Sequence, residues 1–205
     1  NADGLFQSLQ TALYGFNNVW WFPTHNSTTV STNGIGLNYV GTVTAAAVNS
    51  SALATYLVRL EYLVTVASSS AVAGYRLATG SWGYIRGTSA KIGGFYMVLR
   101  WGPTTGVATA TARAFAGTAG IGTLTDVDPS SLLNVVGMGW DAADTQVQIM
   151  HNDGAGTCTK IPLGASWPRP TSDRTALYEI HVYAPPNSSN IYYTALDLVN
   201  DLEAS

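Results

Sequence analysis

The sequence predicts an all-β protein, an antiparallel β-sandwich or jelly roll with a short N-terminal helical or extended arm. Three observations predict it. From Tyr39 onward the apolar segments are short and are separated by clusters of Gly, Pro, Asn, Asp or Ser, which is strand-and-turn punctuation. Within them, side chains alternate with period two. Charged residues make up only 10% of the chain, far below the roughly 25% of ordinary globular proteins, while hydrophobic residues reach 46%. Nothing alternates strand with helix, so a doubly wound α/β fold is disfavoured. With 205 residues, the chain is long enough for one large core.

The elements follow in order. Residues 4–16 (GLFQSLQTALYGF) space Leu5, Phe6, Leu9, Leu13 and Phe16 as in a short amphipathic helix. Residues 1–33 are therefore assigned to an arm that contacts other subunits, and residues 34–205 to the sandwich. VGTVTAAAV and LVRLEYLVTVA read as strands; in the latter Arg59 and Glu61 share a face with Leu57 and Leu63. GGFYMVLRWGP is a strong strand, opened by paired glycines and stopped by Gly-Pro. ATATARAFAGTA is a weaker one. DVDPSS is a turn, because Pro129 has no amide to give a ladder. Five further segments, LLNVVGMGW, TQVQIMHND, CTKIPLG, TALYEIHVYAPP and NIYYTALDLVND, complete the set.

Composition excludes several functions. The formal net charge is −3 and no basic run exists, so binding to nucleic-acid phosphates is disfavoured. Cys158 is the one cysteine, which rules out an internal disulfide. No segment has the roughly 20 uninterrupted apolar residues of a membrane span. The chain begins at Asn1 without a leader-like segment, so a processed product or a piece of a longer chain is expected. Sparse charge also weakens the defence against association, so a homo-oligomer is expected.

Catalytic constellations are weak. No Gly-x-Ser-x-Gly elbow occurs, and the histidines are His25, His151 and His181. His181 alternates with Ile180 and Val182 and shares a face with Glu179 and Tyr183, as a sheet-surface histidine would. The acid pairs Asp126/Asp128 and Asp141/Asp144 could serve glycoside hydrolysis or, with Asn152 and Asp153, calcium. Both pairs sit in turns, where Asp is common because it bonds nearby amides. HNDGAG reads as a hairpin turn with Asp153-Gly154 supplying left-handed geometry. No metal, no cofactor and no catalytic residue is assigned. Arg100, Arg169 and Arg174 are expected to bridge loops or subunits.

Carbohydrate binding has the best support. Aromatic rings stack on the apolar faces of sugars, while Asn, Asp, Arg and backbone groups bond their hydroxyls. Tyr75, Trp82, Tyr84, Trp101, Trp140 and Trp167 fall at predicted strand ends or loops, although four of the six are expected to be core or interface. The ligand-binding set expected from sequence is Tyr75, Trp82, Tyr84 and Trp140 for stacking, with Arg86, Asp141 and Asp153 for polar contacts.

The blocks GGFYMVLRWGP, GMGWDAADTQVQIMHNDGAGTCTKIPLGASWPRP and ALYEIHVYAPP, in that order, resemble a domain of tailed-bacteriophage virion proteins: tail-fibre, tail-spike or capsid-fibre proteins. The resemblance spans about Asn38 to Leu198. It implies a jelly-roll or concanavalin-like sandwich, displayed as a homotrimer. It also implies a virion location, with synthesis in the host cytoplasm, display outside the cell and contact with other virion proteins through the N-terminal arm. The implied role is attachment to a host-surface glycan or service as a structural appendage. Such proteins continue past the position of Glu203 with further strands, so a trimmed chain or a closing strand supplied otherwise is expected. The expected function is a non-enzymatic fibre module that recognises a host glycan. The alternatives are a purely structural capsid or tail decoration and a polysaccharide-degrading spike.

Overall fold

The computed structural model describes residues 37–40, 42–46, 59–63, 72–77, 94–102, 111–120, 125–170, 176–185 and 188–205. The expected arm, residues 1–33, lies outside them. The described strands fall into two compact units, one holding β1–β4 and the other β5–β12.

In the first unit, β1 (Leu37–Val40) pairs antiparallel with β4 (Gly74–Leu77). Likewise β2 (Thr42–Ala46) pairs antiparallel with β3 (Arg59–Leu63), with Thr44 opposite Glu61.

The second unit is an antiparallel β-sandwich. One sheet has the order β12-β11-β10-β5, built from Leu202–Ala204, Tyr192–Asp197, Tyr178–Ala184 and Phe95–Trp101. The other is a meander of β6 (Ala114–Thr118), β7 (Val136–Trp140), β8 (Gln148–His151) and β9 (Thr159–Pro162). The chain therefore leaves the first sheet after β5, builds the whole second sheet, and returns to lay β10 beside β5. A single 3-10 turn, Pro129–Ser131, sits among the described residues between β6 and β7, where the sequence predicted a turn.

Period-two alternation decides the core. In β5, Phe95 and Met97 point inward while Tyr96, Val98 and Arg100 point out. In β10, Tyr178, Ile180, Val182 and Ala184 are fully buried. They meet Val136, Met138, Trp140, Val147 and Ile149 of the facing sheet. An aromatic ladder runs through this core: Trp140 stacks on Trp101 at 5.5 Å, Trp101 tilts onto Tyr178 at 5.5 Å, and Tyr178 stacks on Trp167 at 6.0 Å. Full burial of one large apolar side chain is worth about 1.5–3 kcal/mol, so these layers dominate the stability of the sandwich.

β7 is buried on both faces, which its Val-Gly-Met-Gly-Trp sequence allows. Val136, Met138 and Trp140 fill the core, and Gly137 and Gly139 lie on the other face. The Phe115 ring of β6 covers Gly117 and Gly137, with its Cζ 2.8 and 2.7 Å from where their Cβ atoms would stand. An aromatic over strand glycines restores the burial they lack. Val135, Met150 and Cys158 extend this outer cluster. Cys158 is buried, and desolvation raises its thiol pKa, so it packs as a small apolar group.

Candidate functional site

The acidic turn after β7 is tightly occupied. Asp141 is 5% exposed. Its Oδ2 accepts from Lys160 Nζ at 2.8 Å, and Asp144 Oδ1 accepts from the same ammonium at 2.5 Å. Asp141 Oδ1 also accepts from Ser130 N–H, and Asp144 Oδ2 from Asp141 N–H. Lys160 thus occupies the place between two carboxylates that a cation would take. Burial alone would lower the pKa of this ammonium, but its bonds to the two aspartates outweigh that and hold it above the ordinary lysine value. Asp128 is closed off in the same way. It accepts from Ala142 N–H at 3.0 Å and from Arg113 Nε at 2.6 Å. The amide bond from Ala142 lowers its pKa most; burial opposes, and Arg113 adds to the lowering. Arg169 donates to Ala142 O at 2.8 Å, bridging loops as its sequence context suggested. Among the described residues no group of three or more His, Cys, Asp or Glu side chains converges as a metal site would.

The structure describes four of the seven residues of the sequence-expected ligand set. Trp140 is 1% exposed, stacked in the core, and its Nε1 donates to Ala112 O. It cannot stack on a ligand there, because β7 turns it inward against β5 and β10. Asp141 is spent on Lys160 and the turn. Asp153 is exposed on the β8–β9 loop and accepts from Ala155 N–H at 3.3 Å. Its neighbour Gly154 has φ +98°, the left-handed geometry the sequence predicted. Tyr75 lies in β4 opposite Tyr39, half-buried, and belongs to the other compact unit. Trp82, Tyr84 and Arg86 lie outside the described residues. Of the other aromatics weighed, Trp167 is core and Trp101 packs against it.

The structure gathers a different set. The outer face of the β11-β10-β5 sheet carries Tyr192, Tyr183 and Tyr96 in one row, since Tyr183 pairs with both of the others. The next row is Thr194, His181 and Val98, and the next is Leu196, Glu179 and Arg100. Tyr96 is 50% and Tyr192 is 56% exposed. Tyr183 stacks on Tyr192 at 6.3 Å. Tyr96, Tyr183, Tyr192, His181, Thr194 and Leu196 of this face, with Tyr193 and, from β12, Glu203, line an open hollow of about 410 Å³.

A continuous polar chain crosses this face. Tyr96 Oη bonds His181 Nδ1. His181 Nε2 bonds Glu179 Oε1 at 2.7 Å, and Arg100 Nε donates to Glu179 Oε2. Glu179 is buried at the foot of the face, yet it stays ionised. Desolvation pushes its pKa up, but the Arg100 and His181 bonds and charges prevail and hold it below the ordinary carboxylate value. Burial, then the Glu179 charge, raise the Tyr96 phenol, so it keeps its proton.

Sequence reasoning found half of this site. Alternation placed His181 on one face with Glu179 and Tyr183, and the same rule puts Tyr96, Val98 and Arg100 together on theirs. What local pattern lacks is that β5 and β10 are neighbours, since Tyr96 and His181 stand 85 residues apart. No family model, curated protein or solved structure matches this chain.

Proposed function

We propose that this chain is a non-enzymatic virion appendage module of the tailed-phage kind that holds a neutral host-surface glycan on the outer face of its β11-β10-β5 sheet. The phage part rests on the sequence resemblance. The glycan part rests on one observation: three tyrosines abreast, two of them half-exposed, beside His181 and Thr194 over an open hollow. Tyrosine is a rigid amphipathic contact, an apolar ring with a polar tip, that loses little entropy on binding. Its ring suits the C–H face of a pyranose. Thr194 and His181 stand within the same hollow to meet sugar hydroxyls.

The charges on this face favour a neutral sugar. Glu203 lines the hollow as a carboxylate, while Glu179 in the same cross-strand row is bonded to the cation Arg100. A uronate or sialate would meet more negative than positive charge here, and like charges brought together cost affinity.

The test is a glycan array probed with the whole chain and with Tyr96→Ala and Tyr192→Ala. If one stacking contact contributes about 0.5–1.5 kcal/mol, each substitution weakens retention of a neutral glycan about two- to tenfold. Retention unchanged by both substitutions rejects this face. Mass measurement in solution separates the architectural alternative. If these substitutions instead dissociate an oligomer, the tyrosine face joins copies of the chain and does not bind a sugar.

A further inference from the structure

The polar chain on the tyrosine face dictates which way each hydrogen bond runs. Ionised Glu179 can only accept. Its Oε2 takes the Arg100 Nε–H, and its Oε1 lies 2.7 Å from His181 Nε2. That nitrogen must therefore carry a proton. In the neutral ring the other nitrogen, Nδ1, then has a lone pair and no hydrogen. Its partner Tyr96 must donate to it. The phenol proton is committed to the ring, and the Tyr96 oxygen turns only lone pairs toward the hollow. A second proton on His181 goes to Nδ1 and reverses that bond. Nδ1–H then donates, the Tyr96 oxygen accepts, and the phenol O–H swings out toward the hollow.

We infer that Tyr96 is the specificity-determining residue of the glycan face, an acceptor toward the sugar while His181 is neutral and a donor once His181 is protonated. The inference rests on the glycan reading for its ligand, but the inversion itself does not. Its chemical consequence is specific. With His181 neutral, the sugar must offer a donor at this point, as a free hydroxyl does. An ether oxygen at the same point is refused, because two acceptors face each other. With His181 protonated, the ether is accepted.

Among the described residues, the titratable and charged groups around His181 fit this account. From β5 it meets the Tyr96 phenol and, through Glu179, Arg100. On its own strand it shares a face with Glu179 and Tyr183. From β11 it faces uncharged Thr194, with Tyr192 one row away, and β12 adds Glu203 at the rim. Burial and the Glu179 charge raise the Tyr96 phenol, so its proton is present to be redirected.

The inversion is read in the ligand-free chain by ring-nitrogen and tyrosine Cζ NMR. The expected result is a neutral His181 protonated on Nε2, and a Tyr96 Cζ resonance that titrates together with His181. In Tyr96→Phe, which keeps the ring, the Nε2–H form persists and His181 titrates without a tyrosine partner. A neutral His181 protonated on Nδ1, or a Tyr96 resonance that ignores its titration, overturns the inference. Maltohexaose and its per-O-methylated form then serve as neutral probes with and without donors. Their affinity ratio is expected to shift at least about fivefold in favour of the ether from the pH at which NMR finds His181 neutral to the pH at which it finds it protonated, with no shift in Tyr96→Phe. Binding with a ratio indifferent to pH also overturns it. The expected NMR result, with no neutral glycan retained by the whole chain on the array, leaves the inversion standing and sinks the glycan reading.

Discussion

Replacing Gly137 by Ala tests how closely the second sheet is built. A Cβ at this position would stand 2.3 Å from Ala116 O on the neighbouring strand and 2.7 Å from Phe115 Cζ. The ring tip is the movable obstacle. The carbonyl is backbone and belongs to the β6–β7 ladder, in which Ala116 pairs with Met138 and Gly117 with Gly137. Ordinary contact requires the strands to part by about 1 Å at that point. Overpacking of this kind costs about 1–3 kcal/mol. Weakening two or three ladder bonds adds about 0.5–1.5 kcal/mol each. The expected destabilisation is about 2–7 kcal/mol, large against a typical total of about 5–15. Gly156→Ala is the control. Its φ is +69°, but nothing stands within 4 Å of its Cβ, so it costs only the left-handed backbone penalty of about 1–2 kcal/mol. The assay is denaturant unfolding followed by tryptophan fluorescence, since Trp140 ends β7 inside the core. A Gly137→Ala midpoint equal to or above that of Gly156→Ala would refute the close-packed account of β7.

Two further perturbations probe electrostatics. Lys160→Met leaves Asp141 and Asp144 facing one another without their shared ammonium. Breaking a buried pair costs about 3–5 kcal/mol; because the lysine side chain is 29% exposed, about 2–3 kcal/mol is expected from denaturant midpoints, and a neutral result would show the clamp to be idle. On the acid side, Asp128 and Glu179 have folded-state pKa values below their unfolded ones. Their stabilisation is fully present above the ordinary carboxylate range, near pH 4, and is lost as pH falls through the lowered folded values. Stability should therefore drop below about pH 4, and Glu179→Gln should flatten that drop; an unaltered acid limb in the variant would contradict the assigned bonds.

The hairpin that ends the described chain shows where local pattern is too short to read. β12 is three residues long and was not distinguished from its turn in the sequence. Its position is organised by Asp197, which is 1% exposed. Asp197 Oδ1 accepts from Val199 and Asn200 N–H, and its Oδ2 from the Asn200 side chain. Asp201 then turns through φ 53°, a conformation Asp tolerates better than most residues. An Asp six positions before Glu203 looks like any polar turn residue until β11 and β12 are laid side by side.

Alternation, turn residues and low charge were enough by themselves to determine an antiparallel all-β chain, because each is a property of a few successive residues. They determined the limits of β5 between its glycines and Gly-Pro, the turn at Pro129, the left-handed Gly154 and the outward face of His181. Only the tertiary structure decided which strands are neighbours. That decision is made by burying Tyr178, Ile180 and Val182 against Met138, Trp140 and Ile149, a choice among distant segments that no local period encodes. It sent Trp140 and Asp141 inward, away from any ligand. By the same step it set Tyr96 of β5 and Tyr192 of β11 on either side of Tyr183, making one surface from three separate pieces of chain.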